Sequence, residues 1–302
     1  TNHSSWAQHE FRACGDLPFV QTRAWLGVIP IGDELGKEIV REWTTSSIAS
    51  GDRYTSDSNT WRWMERRRNW KPTYDVNVTE PTAGNYVPYS SALVIADNST
   101  ALLLAPDRPR GGASLASGQV ETMLHRRLLH DDHLGVSEPL NDTSVVSVTE
   151  RMVVTTPGDV AGVGRVVGRH QLNPALLLVG PTSPAASTVA QPPPAGSRLA
   201  SPDWPSSVHL LSLDPRPDGQ PGALVRIHSE QQTDAPPLTR DLRLDAALLG
   251  DTITFNASSL VLGRKVASVT EMSLTAVAPL ADVHRLKWRS SPDAPQRAAA
   301  SY

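Results

Sequence analysis

Apolar residues in this chain come in short runs, each closed by turn-forming residues, so strands rather than long helices are predicted. SALVIAD (91–97) and ALLLAPD (101–107) flank Asn98-Ser99-Thr100 and read as a hairpin with a polar tip. TSVVSVTERMVVTT (143–156) is β-branched and long enough for one bent strand or two short ones. SSVHLLSLD, GALVRIHSE, DTITFNASSLVL and KVASVTEMSL then follow at the spacing of an all-β sandwich. ELGKEIVREW (34–43) fits a short helix by charge pattern and a strand by its Ile39-Val40 pair, and periodicity leaves both open.

A chain of 302 residues can bury a sizeable core and divide in two. The composition changes at 181–204, where Pro, Ser and Ala crowd out large apolar residues and a linker is expected. This divides the chain into a larger β domain over 1–180, a linker over 181–204, a smaller β-sandwich over 205–289 and a disordered tail over 290–302.

The formal net charge of −3 gives no reason to expect a nucleic-acid or acidic-membrane partner, and no apolar run is long enough for a membrane-spanning helix. Numbering begins at Thr1 without a signal-like segment, so a removed leader or a longer polypeptide is expected. The single cysteine, Cys14, excludes an intrachain disulfide; it either pairs outside this segment or is a buried thiol. Five of the nine asparagines open N-x-S/T sequons: Asn2, Asn77, Asn98, Asn141 and Asn256. Chance would supply about one or two, so a lumenal or secreted, N-glycosylated chain is expected.

Three constellations carry candidate chemistry. GVGRVVG (162–168) lacks the GxGxxG spacing, a following parallel strand and a ribose-binding acid, so close packing or a small-residue helix explains it better than a nucleotide. WRWMERRRNWK (61–71) sets Trp61, Trp63 and Trp70 among arginines. Stacking of arginine on tryptophan within an interface ranks first, a sugar platform second and single-stranded nucleic acid last. HRRLLHDDHLGV (125–136) offers metal-compatible side chains, but on a strand His125 and His130 point to opposite faces, and so do Asp131 and Asp132. Neighbouring carboxylates also cannot oppose each other across a sugar. Arginine–aspartate pairs that hold a loop, Arg126 and Arg127 with Asp131 and Asp132, are the expected arrangement.

Several of these stretches together resemble the C-terminal part of the lysosomal-type α-mannosidases of glycoside hydrolase family 38. GVIPIGDELGKEIV (27–40), YTSDSNTWRWMERRRNWKPTYDVNVTEPTAGNYVP (54–88) and DRPRGGASLASGQVETMLHRRLLHDDHLGVSEPL (107–140) are similar to that family in order and spacing. Weaker likeness runs through SSVHLLSL, TEMSL and RLKW. The resemblance implies a large mutarotase-like β-sandwich followed by a smaller one. It implies a parent enzyme that hydrolyses terminal α-D-mannosyl residues of glycoprotein glycans with retention, in a lysosome or vacuole or after secretion. In that family zinc binds mannose hydroxyls, one aspartate is the nucleophile and another the general acid and base. Those groups belong to an upstream catalytic domain, so the resemblance implies no catalytic residue, cofactor site or zinc ligand in this chain.

One departure bears on the site. The family usually has arginine between the aspartate pair and glycine, in a loop that faces the catalytic domain; here the residue is Leu134. The loss removes several donors. His125, Arg126, Arg127, Asp131, Asp132 and Leu134 are therefore the candidates for supporting a site completed elsewhere. The competing reading is a stand-alone carbohydrate-binding β-sandwich that uses Trp61, Trp63 and Trp70.

Overall fold

The computed structural model describes residues 6–15, 17–57, 59–60, 62–135, 137–174, 208–216, 218–229 and 266–284. These fall into two compact units, 6–174 in the first and 208–229 with 266–284 in the second. The expected linker and tail, Asn2, Asn256, Trp61 and the DTITFNASSLVL segment lie outside the described residues.

The first unit is an all-β sandwich with one helix against it. Its larger sheet contains β1 (Ala7–Ala13), β2 (Val20–Leu26), β4 (Arg53–Asp57), β5 (Trp63–Arg67), β7 (Leu93–Ala96), β8 (Ala101–Pro106) and β11 (Val146–Thr155). Their order is β1-β2-β11-β8-β7-β4-β5, with every neighbouring pair antiparallel. The second sheet is β3-β10-β9-β6, also antiparallel: β3 (Lys37–Thr44), β6 (Val87–Tyr89), β9 (Arg110–Ala113) and β10 (Gln119–Arg127).

The expected hairpin forms as β7 and β8, with Ala96 opposite Ala101. Asp97 fixes its tip by accepting the backbone N–H groups of Ser99 and Thr100 and the Ser99 hydroxyl. ELGKEIVREW resolves as strand β3 from Lys37 onward, consistent with the β-branched pair Ile39-Val40. TSVVSVTERMVVTT is one strand of ten residues, β11.

The core has two layers. Tyr54, Tyr89, Leu93, Ile95, Leu102, Leu104 and Val120 pack between the sheets. On the outer face of the larger sheet, Val160 and Val167 of α1 (Val160–Leu172) pack with Trp63, Val94, Leu103 and Val153. Strands β7 and β8 are thus covered on both faces, which explains why LVIA and ALLLAP run apolar without alternation. Full burial of one such leucine contributes roughly 1.5–3 kcal/mol.

Helix α1 carries the glycine trio of GVGRVVG, and the expected close packing is what the structure shows. A Cβ on Gly164 would lie 2.4 Å from Leu103 Cδ1 and 2.6 Å from Trp63 Cη2; one on Gly168 would meet Ser91. Trp63 itself is only 3% exposed, so it is a core residue and not a sugar platform. Cys14 is exposed, which removes the buried-thiol reading.

In the second unit, β12 (Val208–Pro215) and β13 (Ala223–Ser229) form an antiparallel hairpin with a bulge between Leu210 and Ser212. The strand expected over KVASVTEMSL does not form in its described part, where Met272 makes a single bridge to Pro279. The reason is local. The Ser273 hydroxyl accepts the N–H groups of Val277 and Ala278, and Ala276 adopts a positive φ of 58°, so the chain turns where extension was expected.

Candidate functional site

Strand β10 delivers the polar stretch to the end of the smaller sheet. It pairs with β3 along its length, and a register shift between Met123 and His125 alters the alternation just before the arginines. The strand ends at Arg127, so His130 to His133 lie in a loop and the strand geometry expected for them does not apply.

The expected arginine–aspartate pairs do not form among the described residues; the partners are different. Arg126 faces Glu38 of β3 at 3.5 Å, an exposed pair across two strands. Arg127 reaches back to the neighbouring loop, donating Nε to Asn141 Oδ1 at 2.7 Å and Nη1 to the Ile29 carbonyl at 2.8 Å. His125 Nε2 lies 3.3 Å from the Ser144 carbonyl. Asp131 and Asp132 instead brace their own turn. Asp131 accepts the His133 N–H at 3.0 Å, Asp132 accepts the Leu134 N–H at 3.1 Å, and His133 Nδ1 stands 3.5 Å from Asp131. Positive φ at His133 and Gly135 lets the chain reverse within this short span. Both aspartates are committed to a local Asx geometry, and the arginines tie other segments together instead.

Two neighbouring segments complete the cluster. The Leu128 N–H donates to the Leu140 carbonyl at 2.9 Å, closing the loop at its base. Gly27, with φ 126°, sits so close to the second arm that a Cβ would stand 2.4 Å from the Ser144 carbonyl oxygen. Asp142 accepts the Ser144 hydroxyl at 2.6 Å and its N–H at 2.8 Å, and these bonds hold its carboxyl below the usual range. Leu134, at the loop tip, is 84% exposed and presents no polar side-chain group.

A second polar cluster, outside the residues singled out in the sequence, lies buried between the sheets. Glu150 of β11 is fully buried, with Oε2 3.5 Å from Arg41 Nη1 of β3 and Oε1 3.6 Å from Arg110 Nη1 of β9. Tyr89 of β6 donates to Glu150 Oε1 at 3.2 Å, and Arg41 Nη1 donates to Thr22 Oγ1 at 2.7 Å. Arg110 also bonds Asp107 at 2.6 Å. Burial pushes the Tyr89 hydroxyl well above its ordinary pKa, with the Glu150 charge adding to the effect. Burial lowers Arg41, while Glu150 opposes that shift. A signal was present in the alternation: Arg41 stands between Ile39 and Trp43 on one strand face, and Glu150 is two residues from Val148 on another.

Three sequon asparagines are described, Asn77, Asn98 and Asn141, and all three are exposed. No group of three or more His, Cys, Asp or Glu side chains suited to a metal ion occurs among the described residues. No helix among the described residues is long and apolar enough to cross a membrane.

Residues 34–134 match the sequence profile described as the glycosyl hydrolases family 38 C-terminal domain. The match spans β3 to the tip of the β10 loop and includes Arg41, Tyr89 and Arg110 of the buried cluster. The chain belongs to glycosyl hydrolase family 38, as a C-terminal portion. It is 32% identical over 295 residues to a lysosomal alpha-mannosidase of Dictyostelium discoideum, covering 93% of this chain and 27% of that protein. It is 36% identical over 215 residues to that of Homo sapiens, covering 70% and 21%, and 32% identical over 295 residues to that of Mus musculus, covering 96% and 28%. The chain thus spans less than a third of the length of these relatives. A crystal structure of an alpha-mannosidase from Enterococcus faecalis V583 superposes with a TM-score of 0.43 at 10% identity, covering 55% of this chain and 18% of that one.

Proposed function

We propose that this chain is the non-catalytic C-terminal β portion of a retaining α-mannosidase that removes terminal α-D-mannosyl residues from glycoprotein glycans. The observation that carries this reading is the near full-length similarity to lysosomal alpha-mannosidases, together with the small share of those proteins that the chain represents. Zinc and the catalytic aspartates are assigned to an upstream domain of the same polypeptide, as the family resemblance implies and as the greater length of the relatives allows. The sequon excess and the lysosomal relatives support a lysosome or vacuole lumen, or the secreted space, as its location.

Within that enzyme the β10 loop borders the upstream domain and helps to hold the edge of the sugar pocket. Arg127 acts as the tie between the 27–36 segment and the 137–145 segment, through Ile29 and Asn141. Arg126 is held toward Glu38 at the strand edge. Leu134 presents an apolar tip where the family usually offers a guanidinium, so the pocket loses donors there.

The test is product stereochemistry. The longer polypeptide, given a mannose-terminated glycopeptide, releases mannose first as the α anomer, seen by NMR before mutarotation. First release of the β anomer, or no release of mannose, refutes the reading. A stand-alone sugar-binding role through the tryptophans is disfavoured by the core position of Trp63.

A further inference from the structure

The segment from Asn69 to Asn85 is a loop whose neck is tied by its two end residues. The Asn69 N–H donates to Asn85 Oδ1 at 2.8 Å, and Asn85 Nδ2 donates to Asn69 Oδ1 at 2.7 Å and to the Pro81 carbonyl at 2.7 Å. The Tyr54 hydroxyl donates to the Asn85 carbonyl at 2.6 Å and anchors the neck in the core. No helix or strand forms between Trp70 and Thr82, so this is an Ω-type loop of the kind that compact domains keep for a use.

Its surface carries three large hydrophobic side chains among polar ones. Trp70, Tyr74 and Val78 are all exposed, Tyr74 by 62%. Trp70 has the Arg67 guanidinium over its ring at 5.5 Å, whereas no ring contact involves Tyr74 among the described residues. The sequon Asn77-Val78-Thr79 lies within the same loop, three residues after Tyr74. The Thr79 N–H donates to the Asn77 carbonyl at 3.0 Å, so the chain folds tightly at the sequon. The Asn77 side-chain amide makes no hydrogen bond among the described residues. The other two described sequons differ. Asn141 Oδ1 is held by Arg127, and Asn98 stands in the polar Asp97-Asn98-Ser99-Thr100 tip.

We propose that Asn77 carries an N-glycan whose first N-acetylglucosamine is seated on the Tyr74 ring, shielding the apolar side chains of the loop. The apolar C–H face of a pyranose matches an aromatic ring, and a tyrosine ring is ordered at small entropic cost. The proposal rests on the lumenal reading of the chain, and it goes beyond that reading by naming the ring that receives the sugar.

The experiment compares melting temperatures of the longer polypeptide from a eukaryotic secretory host, trimmed to one sugar per site. Asn77→Gln is made in three backgrounds: unaltered, Tyr74→Phe and Tyr74→Ala. Seating on the ring predicts a loss of about 2–4 °C on Asn77→Gln with Tyr or Phe at position 74, and no loss with Ala. An equal loss in all three backgrounds, or none in any, overturns the seating. Glycopeptide mass spectrometry separates the two readings. An unmodified Asn77 overturns the proposal alone if other sequons are occupied, and if none is occupied the lumenal reading falls with it.

Discussion

Arg41 and Glu150 lie on opposite sheets of the sandwich, 3.5 Å apart and both buried. Each would be costly alone in this interior. Together with Arg110 and Tyr89 they tie β3, β6, β9 and β11 across the core. Glu150→Ala leaves the buried Arg41 guanidinium without a carboxylate, while Arg110 keeps Asp107, and a stability loss of about 3–5 kcal/mol is expected. Arg41→Met with Glu150→Ala should lose less than the two single changes added together, measured by urea unfolding. Strict additivity would show that the pair is not coupled.

Gly164 and Gly162 differ although both are in α1. Gly164→Val drives a side chain into Trp63 and Leu103 and is expected to cost about 1–3 kcal/mol. At Gly162 nothing lies within 4 Å of where an alanine methyl would stand, so Gly162→Ala should stabilise by about 0.5–1 kcal/mol. Thermal unfolding of the two variants checks the pair, and equal effects would contradict the packing described.

Acid should weaken the sandwich through Asp107. Burial acts to raise its carboxyl pKa, but bonds from Arg108, the Thr149 N–H and Arg110 outweigh it, and the net shift is downward. A carboxylate with a depressed folded pKa contributes stability that is present above its unfolded value, about 3.9, and is lost as pH falls through the folded one. Urea midpoints should therefore hold across the mildly acidic range on this account and decline below about pH 4. Asp107→Asn should be less stable at pH 6 and show a shallower acid decline; an unchanged decline would assign it to other groups.

Leu134→Arg restores the residue type that the family resemblance implies at the loop tip. Because the side chain is exposed, stability should change by no more than about 0.5 kcal/mol. In the longer polypeptide the change should lower KM for an aryl α-mannoside. An unaltered KM would remove this position from the pocket edge.

The strands were legible because their apolar runs are short and bounded by turn residues, as at β7 and β8, or rich in β-branched residues, as at β11. GVGRVVG was legible as packing because its glycines lack the surrounding βαβ pattern. What local sequence did not reveal was partnership at a distance. Arg127 bonds Ile29, remote in sequence, and Arg41 meets Glu150 only once two sheets stack. The turn at Ser273 also overrode the strand propensity of KVASVTEMSL, through a hydroxyl that captures two backbone N–H groups.

The most direct test of the central claim is the rate of aryl α-mannoside hydrolysis by the 302-residue chain and by the longer polypeptide, side by side. The account predicts turnover by the longer polypeptide and only the uncatalysed background with the chain alone. Turnover by the isolated chain would contradict it.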